Sequence, residues 1–232
     1  MMHQPPRKIF LERVFILSER VEVVFRSYEI AKIRGISILL HPSFVIFIAL
    51  LILAFYLSGG GFYAIAGALY LIFLFSFVVF HELAHSMTAK SYGINVRKIT
   101  LLPIGGVAEL ERYPKDPKAE LRIAAAGPLS NFLLASLFFL LLHILNLSIS
   151  YSSLGGIPEL LDIRALLIMG IQVNLALGLF NLIPAFPMDG GRILRALLAR
   201  RMSLVEATER ASRIARIIAI LMFVFGLFYI PF

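Results

Sequence analysis

Leu71-Ile72-Phe73-Leu74-Phe75-Ser76-Phe77-Val78-Val79-Phe80-His81-Glu82-Leu83-Ala84-His85 is the stretch that decides how this chain is read. Its first ten residues are apolar apart from Ser76, and three ionisable groups follow at once. In a helix, four residues at about 100° each return the chain to the same face one turn on, so His81 and His85 share a side. Two neutral imidazoles so placed can hold one zinc ion, and Glu82 beside them can act as general base on a water at that ion. The five-residue pattern alone leaves catalysis and an amphipathic helix end both open. Its place after an apolar run favours catalysis, because charge at membrane depth is costly and is retained for function.

Composition points the same way. Of 232 residues 59% are hydrophobic, and the mean hydropathy is +0.88, well above a soluble domain's apolar share of about 45–50%. At about 20 residues per span, this length accommodates five or six membrane helices and no separate soluble domain. The net charge of +8 would suit nucleic acid, but the distribution of the 22 Lys and Arg argues against it. Seven precede His41, seven lie between Lys90 and Arg122, seven between Arg192 and Arg216, and only Arg164 remains. Alternate connections rich in basic residues are what the positive-inside rule produces. With no cysteine, disulfides and thiolate ligands are excluded, and any metal must be held by His, Asp or Glu. No cleavable signal is expected, since Glu12 and Arg13 interrupt Ile9 to Leu17, so the first span should serve as an uncleaved anchor.

Residues 1–38 form an expected N-terminal segment on the cytoplasmic side or membrane surface, and residues 39–232 the embedded domain. Within the first, an amphipathic helix precedes a strand pair turning at Gly35. The first span runs from about Leu39 to Leu57, with His41 an interfacial residue. Ser58-Gly59-Gly60-Gly61 turns on the outer side, and the second span carries the histidines from Phe62 to Tyr92. Ile94 to Leu102 reads as a strand and as a docking edge for an extended peptide. Leu101 to Val107 is either a segment dipping into the bilayer or a surface hairpin. The third span, Arg122 to Leu147, opens with Ala124-Ala125-Ala126-Gly127-Pro128, small residues that let helices approach, and Asn131 can hydrogen-bond across that contact. Asn146 to Asp162 is an expected outer loop, with His143 near it and remote from the other histidines.

The fourth span, from Ile163, places Asn174 and Asn181 on one face. It should break at Asn181-Leu182-Ile183-Pro184-Ala185-Phe186-Pro187-Met188-Asp189-Gly190-Gly191, where two prolines stop the helix and two glycines permit a turn. Asp189 in an unwound segment needs a cation; zinc is the obvious one and Arg192 a competitor. Ser203 to Ile217 reads as a cytoplasmic amphipathic helix, and Ile214 to Phe232 as a fifth apolar run. By alternation, the N-terminus is cytoplasmic and the C-terminus outside.

Together, His81-Glu82-Leu83-Ala84-His85, Leu102-Pro103-Ile104-Gly105-Gly106, Ala126-Gly127-Pro128 and Asn181 to Gly191 resemble the site-2 protease family of intramembrane zinc metalloproteases, in its short prokaryotic form, over about His41 to Phe232. The resemblance implies an all-α polytopic bundle of about five spans, with a small cytoplasmic-side β segment and a broken fourth helix. Similar proteins usually have a sixth span, and many add tandem CBS domains; both are read as absent here. It further implies one Zn2+ per chain held by His81, His85 and Asp189, Glu82 as general base, and Asn181 steadying the oxyanion. Asn131 falls at a position associated with the active-site region.

The expected function is intramembrane endopeptidase action on transmembrane protein substrates, in the cell membrane, with the site toward the cytoplasm. A regulatory membrane partner is left open. The alternative is a membrane metal-binding or transport protein that uses the same ligands without hydrolysis; it would need polar groups leading to the outer face, where these spans are apolar.

Overall fold

A computed structural model describes residues 27–147 and 162–229. The expected N-terminal amphipathic helix and most of the expected outer loop lie outside the described residues.

The described chain opens with strands β1 (Tyr28–Ile33) and β2 (Ile36–Leu40). They are joined by Arg34 and Gly35, both at positive φ, the backbone that a two-residue hairpin requires. Lys90 donates its Nζ hydrogen to Arg34 O at 2.7 Å and fastens this turn to helix α1 (Pro42–Ser91). His41 caps α1: its Nδ1 accepts from Ser43 N, and Pro42 follows at the first helical position, where a missing N–H costs nothing.

At 50 residues α1 would reach about 75 Å if straight, more than twice the hydrocarbon thickness of about 30 Å. It does not stay straight. Gly59 and Gly60 leave helical geometry, Gly60 at φ 76°. Phe55 packs so closely on Gly67 that a Cβ there would overlap its ring. Phe44 and Phe75 stack edge to face with centroids 4.6 Å apart. Contacts between residues 31 apart in sequence require the two arms to lie side by side and antiparallel. The chain therefore returns to the sheet, where β3 (Val96–Leu102) pairs parallel with β2, Ile38 opposite Ile99. Strand β4 (Gly105–Leu110) then pairs antiparallel with β3, completing the order β1-β2-β3-β4.

This order corrects one expectation. The strand read as a docking edge is β3, and both its edges are taken, by β2 and β4. The sheet edge beside the second arm of α1 belongs to β4.

Helix α2 (Pro117–Ile144) is capped by Asp116, which accepts from the backbone of Lys118 and Ala119. Ile36, Val96 and Ile99 of the sheet close on Ala89 at the end of α1 and Ile123 near the start of α2. This cluster fixes the sheet against the histidine-bearing turns. Helix α3 (Ile163–Asn181) packs along α2, with Gly170 against Phe138 and Gly178 against Phe132. The chain leaves helical form over Leu182 to Met188 and resumes as α4 (Asp189–Leu198).

Helix α5 (Leu204–Tyr229) opens with a reciprocal cap in which Ser203 and Glu206 bond each other's backbone N–H. The expected surface helix and fifth apolar run are thus one continuous helix, because no residue between them stops a helix. Ala207, Ala211 and Ala215 bury its inner stripe.

Among the described residues four helices are long and apolar enough to cross a membrane: α1, α2, α3 and α5. Side chains such as Ile72, Leu133 and Phe223 stand exposed on them, on a scale that monomeric soluble proteins avoid. The chain is a multi-pass membrane protein, mostly helical, with one small sheet.

Candidate metal centre

His81 and His85, one turn apart on α1, turn their edges toward α2 and α4. The space they occupy exists because residue 127 of α2 lacks a side chain; a Cβ there would overlap both imidazoles.

Hydrogen bonds fix how each ring presents itself. His81 Nδ1 donates to Asn131 Oδ1 at 2.5 Å. Asn131 in turn donates to Asn174 Oδ1 at 2.8 Å, and Asn174 to Gly170 O at 2.8 Å. Three links thus tie His81 to the backbone of α3, and both asparagines are fully buried. His85 Nδ1 donates to Ile123 O at 2.6 Å. Neutral imidazole has one N–H, and each ring spends it on Nδ1. Both Nε2 atoms therefore carry lone pairs.

The two lone pairs face each other and a carboxylate. Nε2 of His85 and Nε2 of His81 are 3.0 Å apart, and Asp189 Oδ2 lies 3.0 and 3.1 Å from them. Three electron-pair donors have no proton to share between them. In a pocket where all three residues are less than 10% exposed, this arrangement calls for a cation. Two imidazole nitrogens and a carboxylate oxygen form a donor set that zinc takes, leaving a fourth position for water or substrate. Among the described residues this is the one group of three or more such ligands able to hold a metal ion.

Asp189 reaches the histidines because the break before it is folded tightly. Gly190 sits on the carbonyls of Leu182 and Ile183, and Gly191 on Ala185; a Cβ at residue 190 would run into both carbonyl oxygens. Arg192, the competitor for Asp189, stands 4.0 Å from the other carboxylate oxygen, Oδ1.

Glu82 lies on α1 beside the two rings, with Gly106 of β4 against its side chain. Asn181, the last residue of α3, is half-buried and donates to Leu177 O at 3.0 Å; it makes no hydrogen bond to the three ligands. His143 lies in the last turn of α2, and His41 caps the start of α1.

Two features escaped sequence reasoning. Glu120, 1% exposed, forms an ion pair with Arg195 that ties α2 to α4, and Arg195 also stands over the Phe186 ring. Their separation of 75 residues left no local signal. The Ile123 carbonyl that orients His85 is a main-chain group, invisible to residue type.

Fold and site together define a helical membrane protein with a buried His-His-carboxylate metal group beside a glutamate. A family model described as Peptidase family M50 matches residues 69–225, and the chain belongs to that family, the site-2 proteases. It is 41% identical over 201 residues to the zinc metalloprotease MJ0392 of Methanocaldococcus jannaschii, covering 87% of this chain and 54% of that protein. It is 37% identical over 166 residues to the putative zinc metalloprotease Rip3 of Mycobacterium tuberculosis, covering 71% of this chain and 40% of that one. Among solved structures, a site-2 protease from Methanocaldococcus jannaschii superposes with TM-score 0.61 at 40% identity, over 87% of this chain and 85% of that one. The chain thus spans about half the length, or less, of these curated relatives.

Proposed function

We propose that this chain is an intramembrane zinc endopeptidase, hydrolysing peptide bonds in or near the transmembrane helices of membrane-bound substrates. The observation that carries the reading is the convergence of His81 Nε2, His85 Nε2 and Asp189 Oδ2, stripped of shareable protons, one residue from Glu82. When bound, zinc supplies a Lewis acid that brings the pKa of a water toward about 7 and polarises the scissile carbonyl. Glu82 takes the proton from the attacking water and returns it to the leaving amine. Asn181 has two amide hydrogens, one engaged by Leu177 O; the other is available to the carbonyl oxygen as negative charge develops there.

Substrate enters unwound, since a helical carbonyl is already hydrogen-bonded. The outer edge of β4 offers main-chain groups to an extended peptide, and Gly106 on that strand lies against Glu82. Residues 39–232 form the embedded domain, with five crossings once the bend in α1 is counted as a turn between two spans. Residues 1–38 stay on the cytoplasmic side. The abundance of Lys and Arg around the sheet and α4 supports placing that end, and the site with it, toward the cytoplasm.

The test is purified protein in detergent with transmembrane-helix substrates, with chelator and with zinc restored. Cleavage should stop and return. Cleavage indifferent to chelator, in protein shown to be free of metal, would overturn the reading.

A further inference from the structure

Helix α4 carries Arg192 and Arg195, and their surroundings differ. Arg195 is fully engaged: Glu120 takes its Nε and one Nη hydrogen, and Phe186 lies beneath the guanidinium. Arg192, one turn on from Asp189, is not. Its Nη1 is 4.0 Å from Asp189 Oδ1, beyond hydrogen-bonding range. Its Nη2 is buried and meets no acceptor among the described residues. The guanidinium thus stands beside Asp189, whose other carboxylate oxygen faces the two histidines, and Gly106 of β4 borders Glu82.

A buried donor without an acceptor costs the fold the whole desolvation of that group. Such groups persist where a ligand or a catalytic task uses them. Peptide hydrolysis brings main-chain carbonyls to the metal group, and a guanidinium donates to an oxygen more strongly than a neutral N–H does.

We infer that Arg192 is a substrate-binding residue whose Nη2–H donates to a main-chain carbonyl oxygen of the extended peptide as it lies across Glu82. The inference rests on the peptidase reading and adds to it a contact that would distinguish an unwound peptide from a helical one, whose carbonyls are already occupied.

The experiment uses the full chain, zinc-loaded in detergent and carrying Glu82→Gln so that bound peptide is not consumed. A fluorescent transmembrane peptide with a Gly-Pro centre is titrated, and metal content is measured on the same samples. Adding Arg192→Gln should weaken binding about tenfold, the worth of one charge-assisted hydrogen bond, with zinc content unchanged. Arg192→Lys, which keeps a charged donor, should recover part of the loss. Should Arg192→Gln fail to fold, Arg192→Met takes its place, keeping the packing of the stem and removing every donor.

An affinity within twofold of the Glu82→Gln protein overturns the inference. So does loss of zinc in the Arg192 variant, which would make the residue a support for Asp189. A protein with native Arg192 that neither binds this peptide nor, with Glu82 intact, cleaves it removes the peptidase reading and this inference together. A parent that does both leaves that reading standing whatever Arg192 does.

Discussion

His81 and His85 sit within a long regular helix, where periodicity alone puts them on one side. Asp189, in contrast, opens a ten-residue helix whose place depends on how Leu182 to Met188 folds back under Gly190 and Gly191. One half of the metal group is positioned by local geometry and the other by packing between segments. The difference teaches where the site is robust. The helical half is set by spacing along α1 and by the room that Gly127 leaves for its rings, whereas the other half depends on the backbone of the break, where a single methyl group meets carbonyls.

The largest effect should come from the helical half without disturbing the metal. Glu82→Gln keeps the helix and the three ligands, so turnover should fall by about 10²–10⁴-fold, the usual worth of a positioned general base. Single-turnover cleavage beside metal analysis checks it, and loss of zinc in this variant would break the independence claimed for the helical half.

Glu120→Gln probes what holds α4 in place. It leaves Arg195 without its counter-charge at a contact where Glu120 is 1% exposed, and breaking such a pair costs about 3–5 kcal/mol. Unfolding in mixed detergent should show the loss, and the affinity for zinc should fall with it, because α4 carries Asp189. Stability unchanged from the parent would mean that the break is held by other means.

Gly190→Ala tests the break directly. The added methyl meets backbone carbonyls, which cannot swing aside as a side chain can, so about 1–3 kcal/mol of stability should be lost. Unfolding in mixed detergent would be compared with that of Ala84→Gly, a change on the helical half that costs about 1 kcal/mol through helix propensity. If the two variants also weaken zinc equally, the contrast between the halves dissolves.

A last test sharpens the comparison within the helical half itself. Asn131→Ala removes the acceptor that holds His81 Nδ1, and losing such an outer partner weakens metal binding about 10–100-fold. Chelator competition measures it. His85, oriented by the Ile123 carbonyl, offers no side chain whose removal does the same.

The contrast also explains what the sequence could disclose. The bend at Gly59-Gly60 and the turn at Gly35 are written in residues that local geometry demands, and each falls where the sequence puts it. That His81 and His85 share a face follows from spacing. What stayed hidden depends on partners far along the chain. The apolar content of Val96 to Leu102 is the same for an edge strand and a central one, and only pairing with β2 across the whole of α1 makes it central. The charge of Ser203 to Ile217 suggested a surface helix overlapping the apolar run from Ile214, and the two are one helix over Leu204–Tyr229.

The distance along the chain between the two halves has a consequence for folding. From His85 to Asp189 is 104 residues, so an ion bound to both closes a long loop. The entropy of closing a loop grows by only about 0.6 kcal/mol for each doubling of its length, and a ligand that binds only the closed form shifts the balance by mass action. Metal would therefore act as a clasp, fastening α4 to α1 after the helices between them are in place. Without it, the first part to open should be the segment from Leu182 onward, and hydrogen exchange of α4 amides in stripped and reloaded protein would report that opening.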